Sequence, residues 1–101
     1  MKHFALIYDV VENFAERRLP VREVHLVHLH EAHASGLLQF SGPLGDPPDG
    51  ALLIFRADSA AHVEAFARAD PYVIHGLVTA WRVRPWTIVI APEPAAPPPA
   101  L

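Results

Sequence analysis

Two short runs set the tightest limit on how this chain can fold. Phe4–Tyr8 (FALIY) and Ala51–Phe55 (ALLIF) are apolar at every consecutive position. Successive side chains of a β-strand point to opposite faces, so a strand made from either run is apolar on both sides of its sheet. A strand in an antiparallel sheet with one wet face would alternate instead. Both faces of this sheet therefore need a cover.

The rest of the chain supplies a cover for one face. His3 to Val11 reads as a strand from its aromatic and β-branched residues. From about Pro20 to Ser35 the period is helical, with Pro20 in the first turn and Gly36 as the stop. Leu37 to Ser41 reads as a short strand closed by Gly42-Pro43, and the run GDPPDG that follows is a turn. Ala51 to Ala57 is a second strand. Asp58 or Ser59 caps a helix to about Ala69, whose apolar stripe is Val63, Phe66 and Ala67. After Asp70-Pro71 comes one turn of helix, then Leu77 to Ile90 as one long strand or two broken at Pro85. The order βαββαβ predicts an α+β fold, a ferredoxin-like split βαβ sandwich with an antiparallel sheet. Its two helices cover one face. The economical cover for the other is the same face of a second copy, so a homodimer is expected. The folded domain is read as residues 1–91. Residues 92–101, PEPAAPPPAL, hold five of the eleven prolines and read as an extended, disordered tail.

Composition narrows the function. At 101 residues, 51% apolar content supports one proper core. A net charge of −3 and a pI near 6.1 give no electrostatic footprint for nucleic acid or an anionic membrane. No apolar run is long enough to span a bilayer. The opening MKHFALIYDVVENF lacks a small-residue cleavage site and is interrupted by Asp9 and Glu12, so it does not read as a signal peptide. A cytoplasmic domain is expected. The absence of cysteine excludes disulfides, thiolate chemistry and the usual structural zinc ligand sets.

Four of the seven histidines, His25, His28, His30 and His33, fall within REVHLVHLHEAH on the first helix. At about 100° per residue the apolar stripe runs through Leu19, Leu26, Leu29 and Ala32, with Arg22 and His25 inside it. His28 and His30 lie near its two edges. Imidazoles on one helix converge on a metal best at i, i+4, as in His-Glu-x-x-His. The string here, His30-Glu31-Ala32-His33, is one residue short, and no pair among the four has that spacing. No metal site is assigned, and His28, His30 and His33 read as a solvated or partly exposed set without a shared role. His25 has two readings. It is a core histidine satisfied by a carbonyl, or an imidazole lining a pocket with Arg22 one turn earlier to attract an anionic substrate.

The motifs REVHL (Arg22–Leu26), SGPL (Ser41–Leu44), ADPY (Ala69–Tyr72) and VRPW (Val83–Trp86) together resemble the YCII-related (YciI-like) family over about Met1 to Ile90. The resemblance implies a ferredoxin-like fold that dimerises as an α+β barrel. It also implies a pocket centred on a His–Asp pair, carried here onto His25 and Asp70. The family is related to small enzymes acting on ring compounds, including muconolactone isomerase and a dehydrochlorinase for chlorinated hydroxyquinols. Beside the resemblance, Asp70-Pro71 is also what a helix start looks like, with Asp as N-cap and Pro in the first turn. The two roles are compatible if one carboxylate oxygen caps while the other faces the pocket. Ser41 either touches ligand or only ends a strand; Tyr8 and Tyr72 line the pocket or pack the core.

With no flavin motif and no metal set, no cofactor is expected, and the chemistry implied is proton transfer. An imidazole exchanges protons near neutral pH, and a neighbouring carboxylate fixes its tautomer. Arg22 would hold a carboxylate or phenolate, and Ser41 would support developing oxyanion charge. The expected reaction is an isomerisation, or an elimination of water or halide, on a small cyclic or aromatic acid. Two rivals stand beside it. One is a non-catalytic dimer that binds a small metabolite as sensor or carrier. The other is a purely structural domain in which His25 and Asp70 lie apart.

Overall fold

The computed structural model describes residues 1–92. Its elements are β1 (Lys2–Val10), α1 (Phe14–Arg17), α2 (Arg22–Ala34), β2 (Leu38–Leu44), β3 (Gly50–Ala57), α3 (Ala60–Ala69), α4 (Pro71–Ile74) and β4 (Val78–Trp86). The four strands form one antiparallel sheet in the order β2-β3-β1-β4. This is the ferredoxin-like arrangement: β1 and β2, joined through α2, flank β3 rather than each other. The expected tail, apart from Pro92, lies outside the described residues.

The two-faced strands divide as their composition requires. Phe4, Leu6 and Tyr8 of β1 are buried on the helix side, level with Phe55, Leu53 and Ala51 of β3. Phe66, Val63 and Ala67 of α3 close the core above them. On the opposite face Ala5 pairs with Ile54 and Ile7 with Leu52. No element of the described chain packs over that face. Arg82 and Arg84 stand beside Ile7 and Ala5 along its β4 edge, and Phe40 and Trp86 are exposed there.

Several boundaries differ from expectation, each for a local reason. Gly42-Pro43 does not end its strand: β2 runs on to Leu44, with Pro43 opposite Ala51. Pro85 sits within β4 opposite Phe4, as the unbroken of the two readings expected. Both prolines lie in edge strands, where a missing N–H need not break a ladder. β4 stops at Trp86 because its partner runs out: Trp86 pairs with His3, next to the start of β1. Pro20 and Leu19 precede α2 rather than belong to it, and Leu19 is 65% exposed instead of contributing to the apolar stripe. Ser59 occupies the N-cap of α3 without a side-chain capping bond. The short helix α1 has no counterpart among the expected elements.

The stop at Gly36 is a Schellman cap. Gly36 takes φ +85°, its N–H reaches the His33 carbonyl (3.0 Å), and the Leu37 N–H reaches that of Ala32 (3.1 Å). The same cap closes α4, where Gly76 (φ +73°) and Leu77 donate to the carbonyls of Val73 and Tyr72. That second cap, with Asp70 at the other end, holds a single helical turn rigidly beside the sheet.

Candidate active site

Asp70 is the point where three elements meet. It is fully buried, an arrangement that costs several kcal/mol unless donors replace its water. Three do. Its Oδ1 accepts from the Nδ1–H of His25 on α2 (2.7 Å) and from the backbone N–H of Tyr72 on α4 (3.0 Å). Its Oδ2 accepts from the hydroxyl of Tyr8 on β1 (2.7 Å). Asp70 thus caps α4 and pairs with His25 at once, but the division of labour differs from expectation. One oxygen performs both tasks, and the second is held by a tyrosine. Facing a carboxylate, the imidazole presents its Nδ1–H, which leaves Nε2 as the ring nitrogen outside the pair.

The helix places His25 by spacing. His25, Leu29 and Ala32 lie at i, i+4 and i+7, the face of α2 that turns to the sheet, and His25 is 8% exposed. Its ring lies flat on that of Tyr72, with centroids 3.6 Å apart and planes 9° from parallel. Tyr72 is held in turn by the edge of Phe14 from α1, at 5.3 Å and 86°. Nε2 of His25 has no hydrogen-bond partner among the described residues.

Above this assembly lies a cavity of about 210 Å³. Five of the six residues singled out in the sequence, Tyr8, Arg22, His25, Ser41 and Tyr72, line it, and Asp70 sits behind His25. Its floor is the dyad, its walls include Leu26, Leu29 and Leu53, and Ser41 stands on the β2 side. Arg22 is exposed at the start of α2. The sequence reading missed Phe14 and Arg18, which also line the cavity. Arg18 carries its guanidinium 5.5 Å over the Phe14 ring, and its Nε is buried without a hydrogen-bond partner among the described residues. Nothing in the sequence marked them, because the four residues of α1 are too few for a helical period to show.

Both phenols of the site hold their protons tightly. Burial pushes Tyr8 far above the ordinary tyrosine value, and the charge and hydrogen bond of Asp70 add to this. Burial also raises Tyr72; Arg18 and Arg22 pull against it, and Asp70 again adds. The hydroxyl of Tyr8 is therefore a donor across the neutral range.

The remaining helix histidines have separate tasks. His28 stacks on Phe66 of α3 at 4.2 Å and reaches its carbonyl oxygen with Nε2 (3.0 Å). His33 reaches the Leu38 carbonyl of β2 with Nδ1 (2.8 Å), and His30 is exposed. Among the described residues no three histidine or carboxylate side chains converge as a metal site would need.

The chain has relatives among known proteins in both sequence and fold. The YCII-related domain profile matches residues 1–87. Protein YciI of Escherichia coli O6:H1 and that of Shigella flexneri are each 35% identical over 80 residues, 70% of this chain and 82% of theirs. Among solved structures, 5-chloro-2-hydroxyhydroquinone dehydrochlorinase (TftG) from Burkholderia phenoliruptrix AC1100, complexed with 2,5-dihydroxybenzoquinone, superposes with a TM-score of 0.71 at 26% identity. That match covers 84% of this chain and 93% of TftG. Protein Atu4242 from Agrobacterium tumefaciens, at 14% identity and a TM-score of 0.51 over 96% and 98% of the two chains, shares the fold.

Proposed function

The chain belongs to the YCII-related family, and from that premise we propose that it is a proton-transfer enzyme acting on a small cyclic or aromatic acid. Its reaction is an isomerisation, or an elimination of water or halide. The observation that carries this reading is the 2.7 Å contact of His25 Nδ1 with buried Asp70, at the floor of a ring-sized cavity. An apolar cavity of about 150 Å³ admits benzene. One of 210 Å³ suits a single ring with a few substituents. The dehydrochlorinase neighbour, crystallised with a single-ring quinone, supports the same class.

The chemistry follows from the arrangement. Nε2 of His25 takes a proton from a carbon or hydroxyl next to a carbonyl or phenol, and Asp70 stabilises the imidazolium that results. The electron pair released moves toward the ring oxygen. It then expels a leaving group, completing an elimination, or a proton is returned at another carbon, completing an isomerisation. Arg22 and Arg18 supply positive charge for a carboxylate or phenolate, and the unpartnered Nε–H of Arg18 is a donor awaiting an acceptor. Ser41 supports the developing oxyanion. The partner that covers the open sheet face, in this reading, is a second copy of the chain.

Turnover of candidate ring acids, followed by mass spectrometry, tests the reading. The parent should convert one or more of them, and His25→Ala should lower kcat/KM by at least about a hundredfold. A loss below tenfold, or a ligand bound and returned unchanged, points to a binding protein instead. Asp70→Asn supplies a test without substrate. The proton resonance of His25 Nδ1–H should move upfield as its charge-assisted bond to Asp70 is lost.

A further inference from the structure

Tyr8 occupies a position where hydrocarbon would suffice. Its neighbours on the same face of β1 are Phe4 and Leu6, and it is 1% exposed. The residues level with it on β3 and β4, Ala51 and Trp81, offer no side-chain acceptor. Phenylalanine would fill the same volume without burying a hydroxyl, which costs about 1–3 kcal/mol when left unpaired. The hydroxyl has one hydrogen-bond partner, Oδ2 of Asp70, 62 residues away in the chain and 2.7 Å away in space.

We propose that Tyr8 is a positioning residue for the dyad. By holding the second oxygen of Asp70, it sets how strongly the first oxygen draws the Nδ1–H of His25. The inference rests on the proton-transfer reading and assigns that site's tuning. Two effects follow. The carboxylate cannot rotate about its own bond, so Oδ1 stays in line with the imidazole. Charge donated into the Tyr8 hydrogen bond is withdrawn from Oδ1, so the His25 contact is weaker than an uncapped carboxylate would make it. Tyr8 therefore need not touch the ligand to affect catalysis, although its side chain lines the cavity.

The two effects make predictions of opposite sign for two changes at one position. Tyr8→Phe removes the donor and leaves the ring. Biosynthetic 3-fluorotyrosine in a Tyr72→Phe background, where Tyr8 is the one tyrosine left, strengthens the donor. The readout is the proton resonance of His25 Nδ1–H in the full, nitrogen-labelled chain. It should move downfield in Tyr8→Phe, as Asp70 pulls harder, and upfield with fluorotyrosine. A purely space-filling tyrosine would not give opposite shifts. An unmoved signal in both samples, or shifts of one sign, overturns the proposal. The fluorinated chain retains every hydrogen bond of Tyr8 and decides the matter if Tyr8→Phe fails to fold. Asp70→Asn separates the levels. If it changes His25 while neither Tyr8 sample does, the dyad stands and the tuning fails. If it too leaves His25 unchanged, the proton-transfer reading fails with it.

Discussion

His25 and Tyr72 lie face to face, 3.6 Å between centroids and 9° from parallel, while Phe14 and Tyr72 meet at 5.3 Å and 86°. His25 is thus held by packing as well as by Asp70. Each aromatic contact of this kind adds roughly 0.5–1.5 kcal/mol beyond burial. Tyr72→Phe keeps both contacts and should lie within about 0.5 kcal/mol of the parent in urea unfolding. Tyr72→Leu loses both and should cost about 2 kcal/mol.

High pH should unfold the protein through its two phenols. Burial raises Tyr8 and Tyr72 above the unfolded value of about 10. Above that value the unfolded chain releases protons that the native state retains. The stability these groups contribute is complete below about pH 10 and is lost as the pH rises toward their folded values, with a slope approaching 1.4 kcal/mol per pH unit per tyrosine. Urea midpoints at pH 8 and pH 11 measure the loss, and Tyr8→Phe should make it shallower.

The helix histidines should separate cleanly under alanine substitution. His28 loses a stack on Phe66 and a bond to its carbonyl, and His33 a bond to Leu38. Costs of about 1–2 and about 1 kcal/mol are expected. His30 is exposed and should change stability by less than about 0.5 kcal/mol. Equal effects at all three positions would contradict these separate roles.

The open face makes an independent claim about assembly. Leu52 and Ile7 are cross-strand partners there, with no element of the described chain above them. Leu52→Glu sets a charge in the middle of the surface assigned to the second copy. Light scattering should report a dimer for the parent and a monomer for the variant at micromolar concentration, with the far-ultraviolet spectrum unchanged. A monomeric parent refutes the dimer.

Much of this was legible before any coordinates. The two-faced runs around Phe4–Tyr8 and Ala51–Phe55 required a covered sheet, and helical spacing alone put His25 on the inner face of α2. The pairing of His25 with Asp70 came from resemblance, because no periodicity relates residues 45 positions apart. Tyr8 on Asp70 was beyond reach for the same reason. The four residues of α1 fall below the length at which a 3.6-residue period shows, so Arg18 went unseen. Pro43 read as the end of its strand, and Pro85 left two readings open, because edge position, which permits both, depends on the order of strands rather than on neighbours in the chain.

One consequence of the three-donor arrangement around Asp70 reaches into how inactive variants of this protein should be chosen. Asp70 is a joint as well as the partner of the proposed base: it fastens α2, α4 and β1 to one another through single bonds. Truncating it to alanine unpins three elements together, so a dead protein and a loosened protein come as one outcome. Exchanging His25 removes one of the three donors to Asp70 and leaves the other two in place. A silent control for chemistry should be made at position 25, and position 70 kept for asking how far the architecture tolerates losing its keystone.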